Sequence, residues 1–188
     1  MGKINVLVAI TGATGINLAV NFLKKLKELK IETELIISKA AELVIEKESE
    51  YSINDIRNLS AKNYNFDDIS APPASGSYLI KSMVIIPCSM KTLAAIAHGY
   101  SDNLITRAAD VVIKEKRTLL LSVRESPLSA IHLKNMLTLA RLGVIIAPPI
   151  PSYYFRPKTI EEINDHIINR LLDQLGIDIN YKRWENKS

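Results

Sequence analysis

Hydrophobic positions along this chain repeat in two ways. Short apolar runs rich in β-branched residues occupy 4–10, 33–37, 82–87, 118–123 and 143–147, and most are bounded by glycine, proline or polar residues, as buried strands are. Between them apolar residues recur every three to four positions, which predicts helices over 16–29, 40–47, 90–98, 103–116, 130–142 and 159–175. Strands alternating with helices in this way imply a parallel sheet covered on both faces, a three-layer, doubly wound α/β fold. Ligands of such folds collect at the carboxyl ends of the strands, so candidate chemistry belongs there.

Three strand ends carry it. The first strand runs into Thr11-Gly12-Ala13-Thr14-Gly15 and then a helix, where glycines let the backbone turn tightly and approach a phosphate. The third runs into Pro87-Cys88-Ser89-Met90-Lys91-Thr92, which puts hydroxyls, a thiol and a cation at a strand-to-helix junction. Ser89 falls where an N-cap belongs, and the helix start behind it offers free N–H groups to an anion, the outline of a phosphate or flavin site. Arg124 follows the fourth strand at its carboxyl end. Arg107, Asp110 and Lys114 fall at i, i+3 and i+7, so one helical face carries two cations and a carboxylate, as a surface ion-pair stripe or as part of a site. Two Pro- and Ser-rich loops, 67–78 and 147–158, are either positioned for function or cover sheet edges.

Composition narrows the partners. The 188 residues, 47% apolar and 23% charged, suit one ordinary domain, assigned to 1–177 with a C-terminal tail over 178–188. The net charge of +4 is spread along the chain, which points to small anions and away from nucleic acid. Cys88 is the single cysteine, so a disulfide framework and a Cys-based zinc cluster are excluded and a reducing, cytoplasmic setting is expected. No apolar run reaches the roughly 18 residues a membrane helix needs. Val6 stands where a myristoylation signal wants Ser or Thr. An NAD fingerprint is disfavoured because Asn17 and Leu18 occupy the places for its third glycine and Ser38-Lys39 ends the second strand without an acid. There is no P-loop, and Pro157 interrupts the Tyr154-to-Lys158 spacing of a short-chain dehydrogenase pair. His98, His132 and His166 lie on three different helices without ligand spacing and read as structural.

The strings GATG, SKAAELVIEKE, APPASGS, PCSMKTLAAIAHGYSDNLITRAADVVIKE, SVRESPLSAIHLKNML and YYFRPKTIEEI resemble the flavin prenyltransferases of the UbiX type, in order and over about residues 4–177. That resemblance implies a Rossmann/flavodoxin-like domain that joins the dimethylallyl group of dimethylallyl monophosphate to reduced FMN, at N5 and then C6. The product, prenylated FMN, serves a UbiD-type decarboxylase. It implies no metal, and a homo-oligomer, a dodecamer, whose sites are completed across subunits.

The same resemblance assigns roles. Gly12, Ala13, Thr14, Ser38, Ser89, Met90, Lys91, Thr92 and Arg124 would meet the FMN. Arg107, Lys114, Tyr154 and Arg170 would meet the prenyl phosphate, and Ser75 would lie near flavin and substrate. Glu48 would handle a proton or steady a carbocation, although from the residues alone it reads as a solvated helix-end glutamate. Glu125 would be an acid-base partner of Arg124. The chain departs from common family members at Thr14, for serine, at Ile69, for an aromatic residue, and at Phe155, for histidine. Two alternatives are a flavin-dependent decarboxylase of cysteine-type substrates and a non-catalytic flavin carrier. The first would carry Pro-Ala-Ser-Ala-Asn-Thr and a preceding histidine, where this chain has Pro73-Ala74-Ser75-Gly76-Ser77. The second would be favoured if Lys114, Tyr154 and Arg170 stood apart.

Overall fold

Alternation along the strands sorts the core into two layers, one on each side of a parallel sheet. The computed structural model describes residues 5–184, so Ile4 of the first predicted strand and residues 185–188 of the predicted tail lie outside them. Its strands are β1 (Asn5–Ile10), β2 (Glu32–Ile37), β3 (Lys62–Tyr64), β4 (Ser82–Cys88), β5 (Thr118–Val123) and β6 (Ile145–Ile146). All neighbours pair in parallel, in the order β3-β2-β1-β4-β5-β6. This is the three-layer doubly wound arrangement expected, and its order reverses between β1 and β4, the switch point at whose carboxyl ends such folds form a ligand crevice.

Val6, Val8 and Ile10 pack on one face against α1 (Ile16–Glu28), α2 (Lys39–Glu48) and α7 (Ile160–Gln174). Leu7 and Ala9 face the other way, onto α4 (Met90–Ala97), α5 (Leu104–Lys114) and α6 (Ala130–Arg141). Phe22, Leu7, Ile10 and Met83 are among the largest fully buried side chains. Each such side chain contributes about 1.5–3 kcal/mol by leaving water.

Two elements escaped the sequence pattern. Strand β3 is Lys-Asn-Tyr at the sheet edge, partly exposed and without an apolar run. Helix α3 (Ile53–Arg57) is too short for periodicity to register, and is fixed by a capping box between Ser52 and Asp55. Fully buried Glu34 on β2 was not anticipated either, because an alternating glutamate reads as solvent-facing. It accepts hydrogen bonds from Tyr78 (2.6 Å), Tyr64 (3.0 Å) and Asn5 (3.1 Å), with Lys62 Nζ at 3.4 Å. This cluster anchors the end of the 67–78 loop to the sheet.

Candidate functional site

The crevice is built by a threonine clamp. Thr11 Oγ1 donates to the Pro87 carbonyl (2.7 Å) and accepts from the Ser89 amide (2.8 Å), which joins the ends of β1 and β4. Ser89 then caps α4, its Oγ accepting from the Thr92 amide at 3.4 Å. The amides of Met90 and Lys91, like any at a helix start, have no intrahelical acceptor and sit at the positive end of the dipole. Arg124 joins them because its amide donates to the Cys88 carbonyl at 3.0 Å. These groups fit an anion such as the phosphate of FMN.

Gly12 and Gly15 serve different needs. A Cβ on Gly12 would stand 2.5 Å from Ala40 Cβ, so this glycine admits the start of α2. There Ser38 is the cap, its buried Oγ accepting from the Ala41 amide at 3.1 Å. Gly15 adopts φ 112° and has no side chain to cap α1. Glu48, from the far end of α2, does so instead: its Oε2 accepts from the Gly15 amide at 2.9 Å and the Ile16 amide at 3.5 Å. Burial alone would raise the Glu48 pKa, but the Thr14 hydroxyl, these two amides and the charge of Arg124 together hold it below the ordinary carboxylate value. Glu48, exposed at the end of α2, is therefore also the anion at the start of α1. An ionised carboxylate beside Arg124 suits steadying of positive charge better than donation of a proton.

Cys88 does not reach the crevice. It is fully buried and its thiol is pushed up to about 12 by desolvation, which corrects the expectation of a thiol at the site. Glu125 is exposed, with Oε1 accepting from the Ser126 amide at 3.0 Å.

A second group lies along α5. Arg107 Nε donates to the Ala74 carbonyl (3.2 Å) and its NH1 to Asp110 (2.9 Å), while Lys114 pairs with Glu115 at 2.6 Å. Ser75 Oγ is 2.9 Å from Ser77 Oγ. Arg117, which no sequence signal marked, donates to the Gly76 and Tyr78 carbonyls at 2.6 and 2.7 Å and holds this loop in place. Helix α5 runs back toward the amino ends of the strands. With β5 rising about 3.3 Å per residue, Lys114 lies on the order of 20 Å from Arg124.

Tyr154 and Arg170 form a third group, at α7. The Tyr154 hydroxyl lies 3.2 Å from His166 Nε2 and interacts electrostatically with Arg170. Arg170 NH1 is 3.2 Å from Asp173, which Arg183 grips through both guanidinium nitrogens (2.7 and 2.8 Å) and Tyr181 also contacts. The described part of the tail is thereby docked on α7. Phe155 stacks on His166 with centroids 4.5 Å apart, so an imidazole stands beside Tyr154 although position 155 is not histidine.

Sequence reasoning expected Lys114, Tyr154 and Arg170 in one phosphate pocket. Within one chain they are apart, because α5 and α7 cover opposite faces of the sheet. Thr11 and Arg117 were missed as residues that build these groups. Only Thr11 had a signal, its place directly before the GATG turn.

Comparison with known proteins places the chain. The Flavoprotein family profile matches residues 1–172. The flavin prenyltransferase PAD1, mitochondrial, of Saccharomyces cerevisiae is 49% identical over 181 residues, covering 96% of this chain and 75% of the yeast protein. The crystal structure of AnUbiX (PadA1) in complex with FMN and dimethylallyl pyrophosphate matches with TM-score 0.92 and 43% identity, over 98% of this chain and all of the other. A dodecameric FMN-dependent UbiX-like decarboxylase from Escherichia coli O157:H7 matches with TM-score 0.95 and 47% identity, over 97% of this chain and 100% of that one.

Proposed function

This chain belongs to the UbiX/PAD1 flavin prenyltransferases of the Flavoprotein family, and we propose that it transfers the dimethylallyl group of dimethylallyl monophosphate to reduced FMN, at N5 and then C6. The observation that carries this reading is the full-length likeness to a relative solved with FMN and dimethylallyl pyrophosphate, coupled to a helix start and Arg124 at the crevice. Reduced flavin supplies the nucleophilic nitrogen, so the protein's own residues bind, orient and exclude water. Ser38, the Gly12–Thr14 turn, the Ser89–Thr92 helix start and Arg124 hold the FMN. Glu48, ionised beside them, offsets positive charge that develops on the prenyl group.

Arg107, Lys114, Tyr154 and Arg170 take the prenyl phosphate, the arginines through paired donors and Tyr154 through a neutral one. Their positive charge does what a metal would otherwise do, and the reaction proceeds without one. Because Lys114 stands apart from Tyr154 and Arg170 within a chain, the pocket is shared between subunits of a dodecamer. Exposed apolar side chains on and beside α6, Leu128, Ile131, Leu133, Leu137 and Leu142, are available for burial in that assembly. The product passes to a UbiD-type decarboxylase. We assign the protein to the cytoplasm; among the described residues no helix is long and apolar enough to cross a membrane, and cell fractionation decides between the cytoplasm and the mitochondrial setting of the yeast relative.

The test is anaerobic incubation with reduced FMN and dimethylallyl monophosphate, or the pyrophosphate in parallel, followed by mass spectrometry of the released flavin. A flavin heavier by one five-carbon prenyl unit is expected. Bound but unchanged flavin with both donors would favour the carrier. Carbon dioxide release from a peptide cysteine would favour the decarboxylase.

A further inference from the structure

We propose that His166 is a positioning residue for phosphate binding: its Nε2–H donates to the Tyr154 oxygen, so that the Tyr154 hydroxyl proton points outward to the phosphate of the prenyl donor. This rests on the assignment of Tyr154 and Arg170 to that phosphate. The 3.2 Å separation admits donation in either direction. The anion decides between them. A phosphate dianion only accepts hydrogen bonds, so a tyrosine that binds it must give its proton to it. A Tyr154 whose proton was committed to His166 would instead turn lone pairs toward the phosphate.

The imidazole is built to hold this orientation. It is 6% exposed, stacked on Phe155 at 4.5 Å and 27°, and edge-on to Tyr154 and Tyr181 at 5.4 and 5.6 Å. Rings on three sides keep it from swinging away. Burial first, and the charge of Arg170 second, outweigh Asp173 and hold His166 below the ordinary histidine value. Near neutral pH the ring therefore carries one proton, and the nitrogen that bears it fixes the direction of the Tyr154 bond. Asp173 is shared by Arg170, Arg183 and Tyr181, and Arg170 interacts electrostatically with Tyr154, so the hydroxyl and the guanidinium belong to one cluster.

Two measurements on the full-length protein test this. Two-bond proton–nitrogen correlations of ¹⁵N-histidine-labelled protein at pH 8, with the His166 signals identified by their loss in His166→Phe, report the tautomer. The Nε2–H form is expected, and an Nδ1–H form overturns the proposal. This needs no turnover, so it decides even if wild-type protein makes no prenylated flavin, which would be a failure of the proposed function instead. In steady-state kinetics, His166→Phe keeps an aromatic ring against Phe155 and removes the donor. It should raise KM for dimethylallyl monophosphate about five- to tenfold, the value of one hydrogen bond, with kcat changed less than about twofold. His166→Gln, whose amide reaches the Nε2 position, should restore most of the loss. In a Tyr154→Phe background His166→Phe should add nothing. An unchanged KM, or an equal loss with and without the Tyr154 hydroxyl, overturns the proposal.

Discussion

Replacing Glu34 by alanine removes the anchor of the 67–78 loop without touching the crevice. Glu34 is fully buried and its carboxylate accepts three hydrogen bonds of 3.1 Å or less, from Tyr78, Tyr64 and Asn5, while half-exposed Lys62 stands at 3.4 Å. A hydrogen bond to a charged group is worth about 1.5–3 kcal/mol. The carboxylate regains hydration on unfolding, which offsets much of that total, and Lys62 returns to water at little cost. Tyr78 also keeps its contacts with Lys62 and Tyr64 in the variant. The net loss expected is about 2–4 kcal/mol, or a melting temperature about 5–15 °C lower for a domain of this size. Urea denaturation of the full chain measures the first and a thermal scan the second. Because Tyr78 closes the loop that carries Ser75, amide exchange over residues 71–80 should rise in Glu34→Ala while β1 and β4 stay protected. Tyr78→Phe in the Glu34→Ala background should cost much less than in the wild type. A loss below about 1 kcal/mol, with additive Tyr78→Phe, would refute the view of Glu34 as a hub.

Glu48→Gln should lower stability at pH 7 by about 0.5–1 kcal/mol, at the low end because Glu48 is exposed. Its pKa is depressed in the folded state, so the contribution is present above the ordinary value of 4.5 and is lost as pH falls through and below it; urea titrations at pH 7 and pH 3 should show the gap between wild type and variant closing. Gly12→Ala should cost about 1–3 kcal/mol and weaken FMN binding, since the new Cβ collides with Ala40 and displaces the start of α2; calorimetric titration with FMN reads the second effect. Lys114→Ala and Arg124→Ala should each be nearly inactive alone, and co-assembly in equal amounts should recover about a quarter of the wild-type rate if each site takes these two residues from different subunits.

How much of this was legible in the sequence depends on what carried the signal. The long strands and helices were read within a few residues because burial on two faces writes unbroken apolar runs, and burial on one writes a stripe. Ser89 was recognisable as a cap because a cap has a fixed place relative to a strand end, whereas the capping role of Ser38 emerged only from the structure. Strand β3 was not, since its three polar residues are held by pairing with β2 rather than by their own burial. The burial of Glu34 and the contact of His166 with Tyr154 were not anticipated, for a shared reason. The partners that make a buried polar group tolerable, Tyr78 at 44 residues' remove and Tyr154 at 12, are set by the tertiary fold and leave no local pattern.

The division of the site follows from the architecture itself. A doubly wound sheet gathers helix starts and strand ends at one edge, so a single chain can assemble an anion-binding crevice from β1, β2, β4 and β5. Cations on the outer faces of α5 and α7 cannot converge on that edge. The sheet lies between them, and Lys114 sits at the wrong end of its helix. On the proposed function, a second ligand that carries its own phosphate would take a wall from another copy of the chain. On that same proposal, a chain locked as a monomer should lose the dependence of rate on the prenyl donor while keeping FMN affinity.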